Sequence, residues 1–186
     1  MPDIKSSRII ILATDGFEQS ELEVPRDKLK AAGAEVHVVS PDGKAIRGWD
    51  EKDWGREVSV DKALSDVSAD AYDAIVLPGG QINPDILRTK SEAVSFVKAM
   101  HDGGKVVAAI CHGPWMLIEA GIVKGRKVTS YPSIRTDVEN AGGHWEDSEV
   151  VADQGIVSSR NPGDLDAFVD KIIEEVEEGK HARAAA

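Results

Sequence analysis

Four short runs of this chain read as strands, three of them apolar at nearly every position, and they limit it to few architectures. They are Arg8-Ile9-Ile10-Ile11-Leu12-Ala13, Glu35-Val36-His37-Val38-Val39-Ser40, Asp73-Ala74-Ile75-Val76-Leu77 and Val106-Val107-Ala108-Ala109-Ile110. A strand with one face in water alternates apolar and polar residues; the first, third and fourth runs do not, so both of their faces should be covered. Strands of that kind belong to parallel sheets with helices on both sides. The segments between them read as helices. One runs from about Gln19 to Ala32 and stops at Gly33, one from near Ser91 to Gly103 with Val94, Val97 and Met100 on a core stripe, and one from Trp115 to Ala120. An amphipathic helix from Leu165 to about Glu178 comes last, and Pro25 predicts a kink or local break in the first helix. The strand–helix–strand opening implies a right-handed crossover. Further short strands are expected around Lys127–Ser130, Glu149–Ala152 and Ile156–Ser159. Residues 44–61, with Trp49 and Trp54, break the rhythm and read as an excursion or small hairpin, packed on a partner or back on its own sheet. The expectation is one α/β domain over residues 1–186, with 179–186 as a frayed tail.

Hydrophobic residues make up 41% and charged residues 30% of the chain, as in an ordinary globular protein. No apolar stretch approaches the ~18 residues of a membrane span, and Met1-Pro2-Asp3-Ile4-Lys5 lacks a signal-peptide layout. A single cysteine excludes an intramolecular disulfide and suits a reducing cytoplasm, which is the expected location. The net charge of -11 weighs against a nucleic-acid backbone as main partner. One cysteine and five dispersed histidines show no metal-ligand spacing, so neither metal nor cofactor is expected, and His144 reads as a turn residue.

Ligands of such sheets bind beyond the carboxyl ends of the strands. The turns at 14–18, 78–84 and 111–114 should therefore share one crevice. Cys111 ends the fourth run and is followed by His112-Gly113-Pro114, a strand-to-helix turn of the kind that exposes a nucleophile. The nearby helix N-terminus favours thiolate, although a free cysteine is more often a small buried hydrophobe. His112 offers either its ring, as base or cationic neighbour, or only its backbone N–H to an oxyanion hole. Gly79-Gly80 after Pro78 reads as a second oxyanion donor or as an ordinary tight turn, and no phosphate-loop pattern is present. Glu18 opens the first helix; pointing into the crevice it would be a desolvated carboxyl able to hydrogen-bond the sulfur or shuttle protons, and otherwise it is a solvated dipole partner. Glu21 and Glu23 are read as the solvated members of this acidic group, with Glu21 able to approach an interface.

These motifs resemble the PfpI intracellular cysteine proteases of the ThiJ/PfpI superfamily, and the elbow alone also resembles class I glutamine amidotransferases. The matching pieces are Gly16-Phe17-Glu18 with Glu21-Leu22, Leu77-Pro78-Gly79-Gly80, Ala109-Ile110-Cys111-His112-Gly113-Pro114, Thr129-Ser130-Tyr131-Pro132 with Ile134-Arg135, and Ser158-Ser159-Arg160-Asn161-Pro162-Gly163-Asp164-Leu165. They follow the family order across nearly the whole chain. The resemblance implies a flavodoxin-like three-layer α/β sandwich that assembles as a homodimer or a ring of dimers. It implies Cys111 as nucleophile, His112 as its triad neighbour, and Glu18 in contact with the thiol. It places the triad acid on a neighbouring subunit, in the loop after Leu-Pro-Gly-Gly. Asp85 stands there, one methylene shorter than the family's Glu, or else it serves its own helix. Tyr131 matches a crevice-lining position.

Three functions fit. The first is a stress-protective enzyme of glyoxalase or deglycase type, in which Cys111 adds to a reactive dicarbonyl or glycated group and Glu18 moves a proton between its carbons. The second is an oligomer-dependent cysteine peptidase using Cys111, His112 and a partner's Asp85. The third is a non-enzymatic redox sensor based on oxidation of Cys111.

Overall fold

A computed structural model of the chain describes residues 2–183. In chain order its first half comprises β1 (Arg8–Leu12), α1 (Gln19–Ala31), β2 (Glu35–Ser40), β3 (Ile46–Asp50), β4 (Asp53–Val58), β5 (Lys62–Ala63), β6 (Ala74–Leu77), α2 (Ile82–Leu87) and α3 (Ser91–Asp102). The second half comprises β7 (Val106–Ile110), α4 (Pro114–Glu119), β8 (Lys127–Val128), α5 (Arg135–Asn140), β9 (His144–Trp145), β10 (Val151–Asp153), β11 (Ile156–Ser159) and α6 (Leu165–Glu178). Seven strands form the central sheet in the order β10-β11-β7-β6-β1-β2-β5, parallel throughout except for the β10–β11 pair.

The four runs are its four central strands, and β1 shows why the apolar ones do not alternate. Ile9 and Ile11 enter one core with Leu22 and Leu29 of α1 and Phe168, Val169 and Ile172 of α6. Ile10 and Leu12 enter a second core on the opposite face, with Val97 and Met100 of α3 and Met116 and Leu117 of α4. Successive side chains of a strand point to opposite faces, so two covered faces demand apolar residues at every position. The result is a flavodoxin-like three-layer sandwich. The strand order also decides where the site lies. β6 sits between β7 and β1, so the turns leaving all three emerge side by side at one edge of the sheet.

Several expectations need adjustment. α1 runs unbroken through Pro25, which only deprives the Glu21 carbonyl of its helical donor. Residues 46–58 form the hairpin β3–β4, in which Trp49 pairs with Trp54 at 5.6 Å between ring centroids. The strand expected at 127–130 is two residues long and pairs with β9 in a separate ribbon. The tail expected to fray is held as far as Arg183. The His181 amide donates to Gly104 O, and the Arg183 guanidinium donates to the carbonyls of Lys105 and Gln154. Residues 184–186 lie outside the described residues. No helix among the described residues is long and apolar enough to cross a membrane.

Candidate active site

The elbow at the end of β7 is strained where it carries its thiol. Cys111 has φ +63°, a left-handed conformation that costs a non-glycine residue about 1–3 kcal/mol. Its surroundings over-determine it: the Cys111 amide donates to Ser159 O on β11, its carbonyl accepts the Tyr131 amide at 2.8 Å, and the Gly113 amide closes the turn onto Ile110 O. A side chain at Gly113 would come within 2.5 Å of Leu77 O, so the turn needs glycine there. α4 then starts at Pro114, whose missing N–H costs nothing in a helix's first turn.

The carboxyl against this thiol belongs to Glu21, not Glu18. Glu18 is the N-cap of α1 with extended backbone; its side chain lines the mouth of the crevice and accepts the Glu51 amide of the β3–β4 turn. Glu21 lies one turn into the helix, is fully buried, accepts the Gly79 amide (2.8 Å) on one carboxyl oxygen, and lies against the Cys111 thiol. The expectation that Glu21 is solvated is therefore overturned. Its position follows from the helix period. Leu22, Pro25 and Leu29 are buried, and residue 21, four before Pro25, falls on the same inward face. That signal was available in the sequence.

Burial raises the Glu21 carboxyl from 4.5 to about 8, and the neighbouring Glu18 charge adds to this. Glu21 is accordingly a carboxylic acid at neutral pH. Burial also pushes the Cys111 thiol up, with the Glu21 charge second, while the Gly80 and His112 backbone amides pull it down. The charge repulsion vanishes when Glu21 holds its proton. With that repulsion gone, the Gly80 and His112 amides favour thiolate against burial.

Gly79 and Gly80 divide their work. The Gly79 amide is spent on Glu21, so it does not point into the crevice as expected, whereas the Gly80 amide faces the sulfur. A Cβ at Gly79 would lie 2.6 Å from both Cys111 Cβ and Glu21 Oε2, so these groups can meet only over a glycine.

His112 contributes both its amide and its ring. Nδ1 stands 3.2 Å from Cys111 Sγ, and Nε2 stands 3.2 Å from Ser133 Oγ. With Nε2–H donated to Ser133, Nδ1 is left as the acceptor facing the thiol. Burial holds the imidazole below its ordinary value, so the ring is neutral. It stacks on Tyr131 at 4.9 Å and meets Trp115 edge-on. Asp85 lies on the exposed side of α2, outside the crevice, and within one chain the far nitrogen of His112 meets Ser133. Ser133 was not singled out in the sequence, because a serine just before a short helix carries no distinguishing pattern.

The crevice above the thiol has a volume of about 430 Å³ and is walled by Glu18, Trp49, Glu51, Ile82 and Tyr131, among others. Trp49 and Glu51 come from the hairpin, so the excursion in the sequence is one wall of the site. The described residues include one trio with metal-ligand spacing, Glu175, Glu178 and His181, at the far end of α6. There His181 Nε2 is 3.0 Å from the Glu175 carbonyl.

A mostly parallel sheet with a strained elbow cysteine, a buried acid against its sulfur and backbone amides around it defines a class of α/β proteins with a cysteine at the mouth of the sheet. Within that class, residues 7–175 match the DJ-1/PfpI family, and the chain belongs to it. It is 48% identical over 166 residues to "Deglycase TK1284" of Thermococcus kodakarensis, covering 89% of this chain and 97% of that one. It is 43% identical over 164 residues to "Putative cysteine protease YraA" of Bacillus subtilis, covering 88% and 94%. The crystal structure of Drosophila melanogaster DJ-1beta superposes with a TM-score of 0.82 at 30% identity, covering 93% of this chain and 95% of that one.

Proposed function

We propose that this protein is a cysteine-dependent deglycase of glyoxalase type, acting on reactive dicarbonyls and their early adducts on amines. The observation that carries this is the fully buried Glu21, kept protonated to about pH 8, lying against the Cys111 thiol. The relative named as a deglycase supports the same reading.

The sulfur adds to the aldehyde carbon, and the thiol proton ends on the carbonyl oxygen, giving a hemithioacetal. In a glycated amine, the sulfur displaces the amine from that carbon, and the amine leaves with the thiol proton, giving the same hemithioacetal. The hydrogen on this carbon then leaves as a proton and returns to the neighbouring carbonyl carbon. The hemithioacetal becomes a thioester while the ketone becomes an alcohol. Water hydrolyses the thioester, releasing a 2-hydroxy acid and the free thiol. One carbon is oxidised as its neighbour is reduced, so no external electron acceptor is needed. Glu21 takes the shuttle role first expected of Glu18, because it is the acid that reaches the sulfur. The Gly80 and His112 amides face the point where charge develops.

The test is methylglyoxal turnover beside peptide cleavage, in wild type, Cys111→Ser and Glu21→Gln. Wild type should convert methylglyoxal to lactate, and each variant should lose at least ~100-fold, the usual weight of a nucleophile or a general acid–base group. Turnover surviving in Cys111→Ser would refute the nucleophile. Turnover intact in Glu21→Gln would refute the shuttle. Peptide cleavage without methylglyoxal turnover would favour the peptidase reading.

A further inference from the structure

Far from the crevice, a second buried carboxylate lacks the hydrogen bonds that burial calls for. Glu175, in the last turn of α6, is 8% exposed, yet no N–H or O–H of the described residues donates to its carboxylate. The group that meets it is the His181 ring, whose Nε2 lies 3.5 Å from Oε2. Glu178 completes a trio in which one ligand atom from each residue lies within 4.8 Å of the others. A buried carboxylate is costly unless an opposite charge compensates it. Burial accordingly raises the Glu175 carboxyl above its ordinary value; a charged His181 opposes this, and Glu178 adds to it.

The end of α6 adds to the demand for positive charge. A helix C-terminus carries partial negative charge, which Lys, Arg or His in the last turn usually answers. Here the helix ends Glu174-Glu175-Val176-Glu177-Glu178, with no basic residue in its last turn, and Lys171 is taken by Glu174. Gly179, at φ +92°, turns the chain back and donates its amide to Val176 O. The Glu175 carbonyl thereby loses the amide that a continued helix would supply, and His181 Nε2 stands 3.0 Å from it. Carboxylate, carbonyl and imidazole converge on one point, with Glu178 beside them. Their spacing suits a metal ion. Ligands of a tetrahedral Zn2+, about 2.0–2.2 Å from the metal, lie roughly 3.4 Å apart, and Glu175 Oε2 and His181 Nε2 are 3.5 Å apart. Ca2+ and Mg2+ favour oxygen alone, whereas Zn2+ takes imidazole together with carboxylate. His181 ligates as the neutral ring: its proton moves from Nε2 to Nδ1, and the metal replaces the hydrogen bond to the Glu175 carbonyl.

We propose that Glu175, Glu178 and His181 bind one Zn2+ ion, with water completing its shell, and that the ion clasps the segment after α6 onto the body of the protein. The role is structural. The site lies at the edge of the sheet opposite the thiol: the His181 amide donates to Gly104 O just ahead of β7, and Cys111 follows that strand's last residue. Arg183, two residues on, donates to the carbonyls of Lys105 and Gln154, so an ion on His181 anchors the segment that holds the approaches to β7 and β11. Glu178 and His181 fall beyond residues 7–175, the part that matches the family.

The test is the Zn2+ affinity of the full chain, measured by competition with a chromogenic chelator. It is made in Cys111→Ser, because a thiol is itself a zinc ligand, and again with Glu178→Gln or His181→Ala added. Glu178 is exposed, so its replacement leaves the fold intact. The Cys111→Ser protein should bind one Zn2+ per chain with a Kd of about 10 μM or tighter. Each added change should weaken binding by at least ~10-fold, and a roughly hundredfold excess of Mg2+ should not displace the ion. The second readout is trypsin cleavage after the exposed Lys180, followed by mass spectrometry. At a Zn2+ concentration about ten times Kd, cleavage should slow by roughly 10-fold in Cys111→Ser, because only the metal-free tail opens. In the protein that also carries His181→Ala the rate should not respond to the metal. A Kd above about 1 mM, or binding unchanged by both Glu178→Gln and His181→Ala, overturns the site. Displacement by Mg2+ overturns the choice of ion, and cleavage indifferent to bound Zn2+ overturns the clasp.

Discussion

Replacing Glu21 by Gln should make the protein more stable and inactive at once, and the size of the gain follows from burial. The carboxyl ionises near 4.5 in an unfolded chain and near 8 in the fold. Below pH 4.5 both states hold the proton and the group costs nothing. Between 4.5 and about 8 the unfolded chain has lost the proton and the folded chain has kept it, so folding loses ~1.4 kcal/mol per pH unit. Above pH 8 the loss is complete, at about 5 kcal/mol. Stability is thus greatest on the acid side and falls as pH rises through the folded-state value. A glutamine in this place does not titrate, and its amide oxygen still accepts the Gly79 N–H. The assay is urea unfolding, followed by tryptophan fluorescence at fixed protein concentration, from pH 5.5 to 8.5. Over that range the difference between variant and wild type should grow by about 3 kcal/mol, roughly 1.5 M urea at an m-value near 2 kcal/mol/M. Parallel pH profiles would show that Glu21 is ionised in the fold, and the reasoning from burial would fail.

Other outcomes follow from single contacts. Gly79→Ala places a methyl 2.6 Å from Cys111 Cβ and Glu21 Oε2; it should cost about 1–3 kcal/mol in urea unfolding, as overpacking does, and abolish methylglyoxal turnover by separating thiol and acid. Ser133→Ala removes the oxygen 3.2 Å from His112 Nε2; kcat should fall and the acid limb of its pH profile should move, while an unchanged profile would leave Ser133 without a role. Asp164→Asn weakens the bidentate grip on Arg160, whose Nε and Nη2 lie 2.9 and 3.0 Å from the carboxylate. It should lower stability by about 2 kcal/mol without altering the alkylation rate of Cys111.

What could be read in the sequence and what could not differ in a physical way. The sheet was legible because two covered faces demand apolar residues without alternation, a signal carried by each strand alone. The turn at Cys111 was legible because Gly113 and Pro114 just after it mark the passage from strand to helix. The thiol's acid partner was not assigned correctly, because Glu18 and Glu21 carry the same charge three residues apart. Only the inward stripe of Leu22, Pro25 and Leu29 tells them apart, and charge by itself does not. The hairpin wall and Ser133 escaped for another reason. They reach the thiol through tertiary packing of elements whose local sequence specifies a turn or a short helix and nothing about its destination.

The same acid separates catalysis from oxidation sensing. A sensor asks Glu21 only to donate a hydrogen bond to the sulfur, which steadies thiolate and the sulfinate that oxidation makes from it. An isomerising enzyme asks it to give up a proton and take one back. Glutamine can do the first through its amide N–H and cannot do the second. In Glu21→Gln, peroxide should therefore still drive Cys111 to a species heavier by about 32 Da, the two oxygens of a sulfinate, while lactate formation from methylglyoxal stops. Loss of both together would mean that Glu21 acts on the sulfur alone, and the proton transfer between substrate carbons would have to be assigned to His112, whose Nδ1 lies 3.2 Å from Sγ.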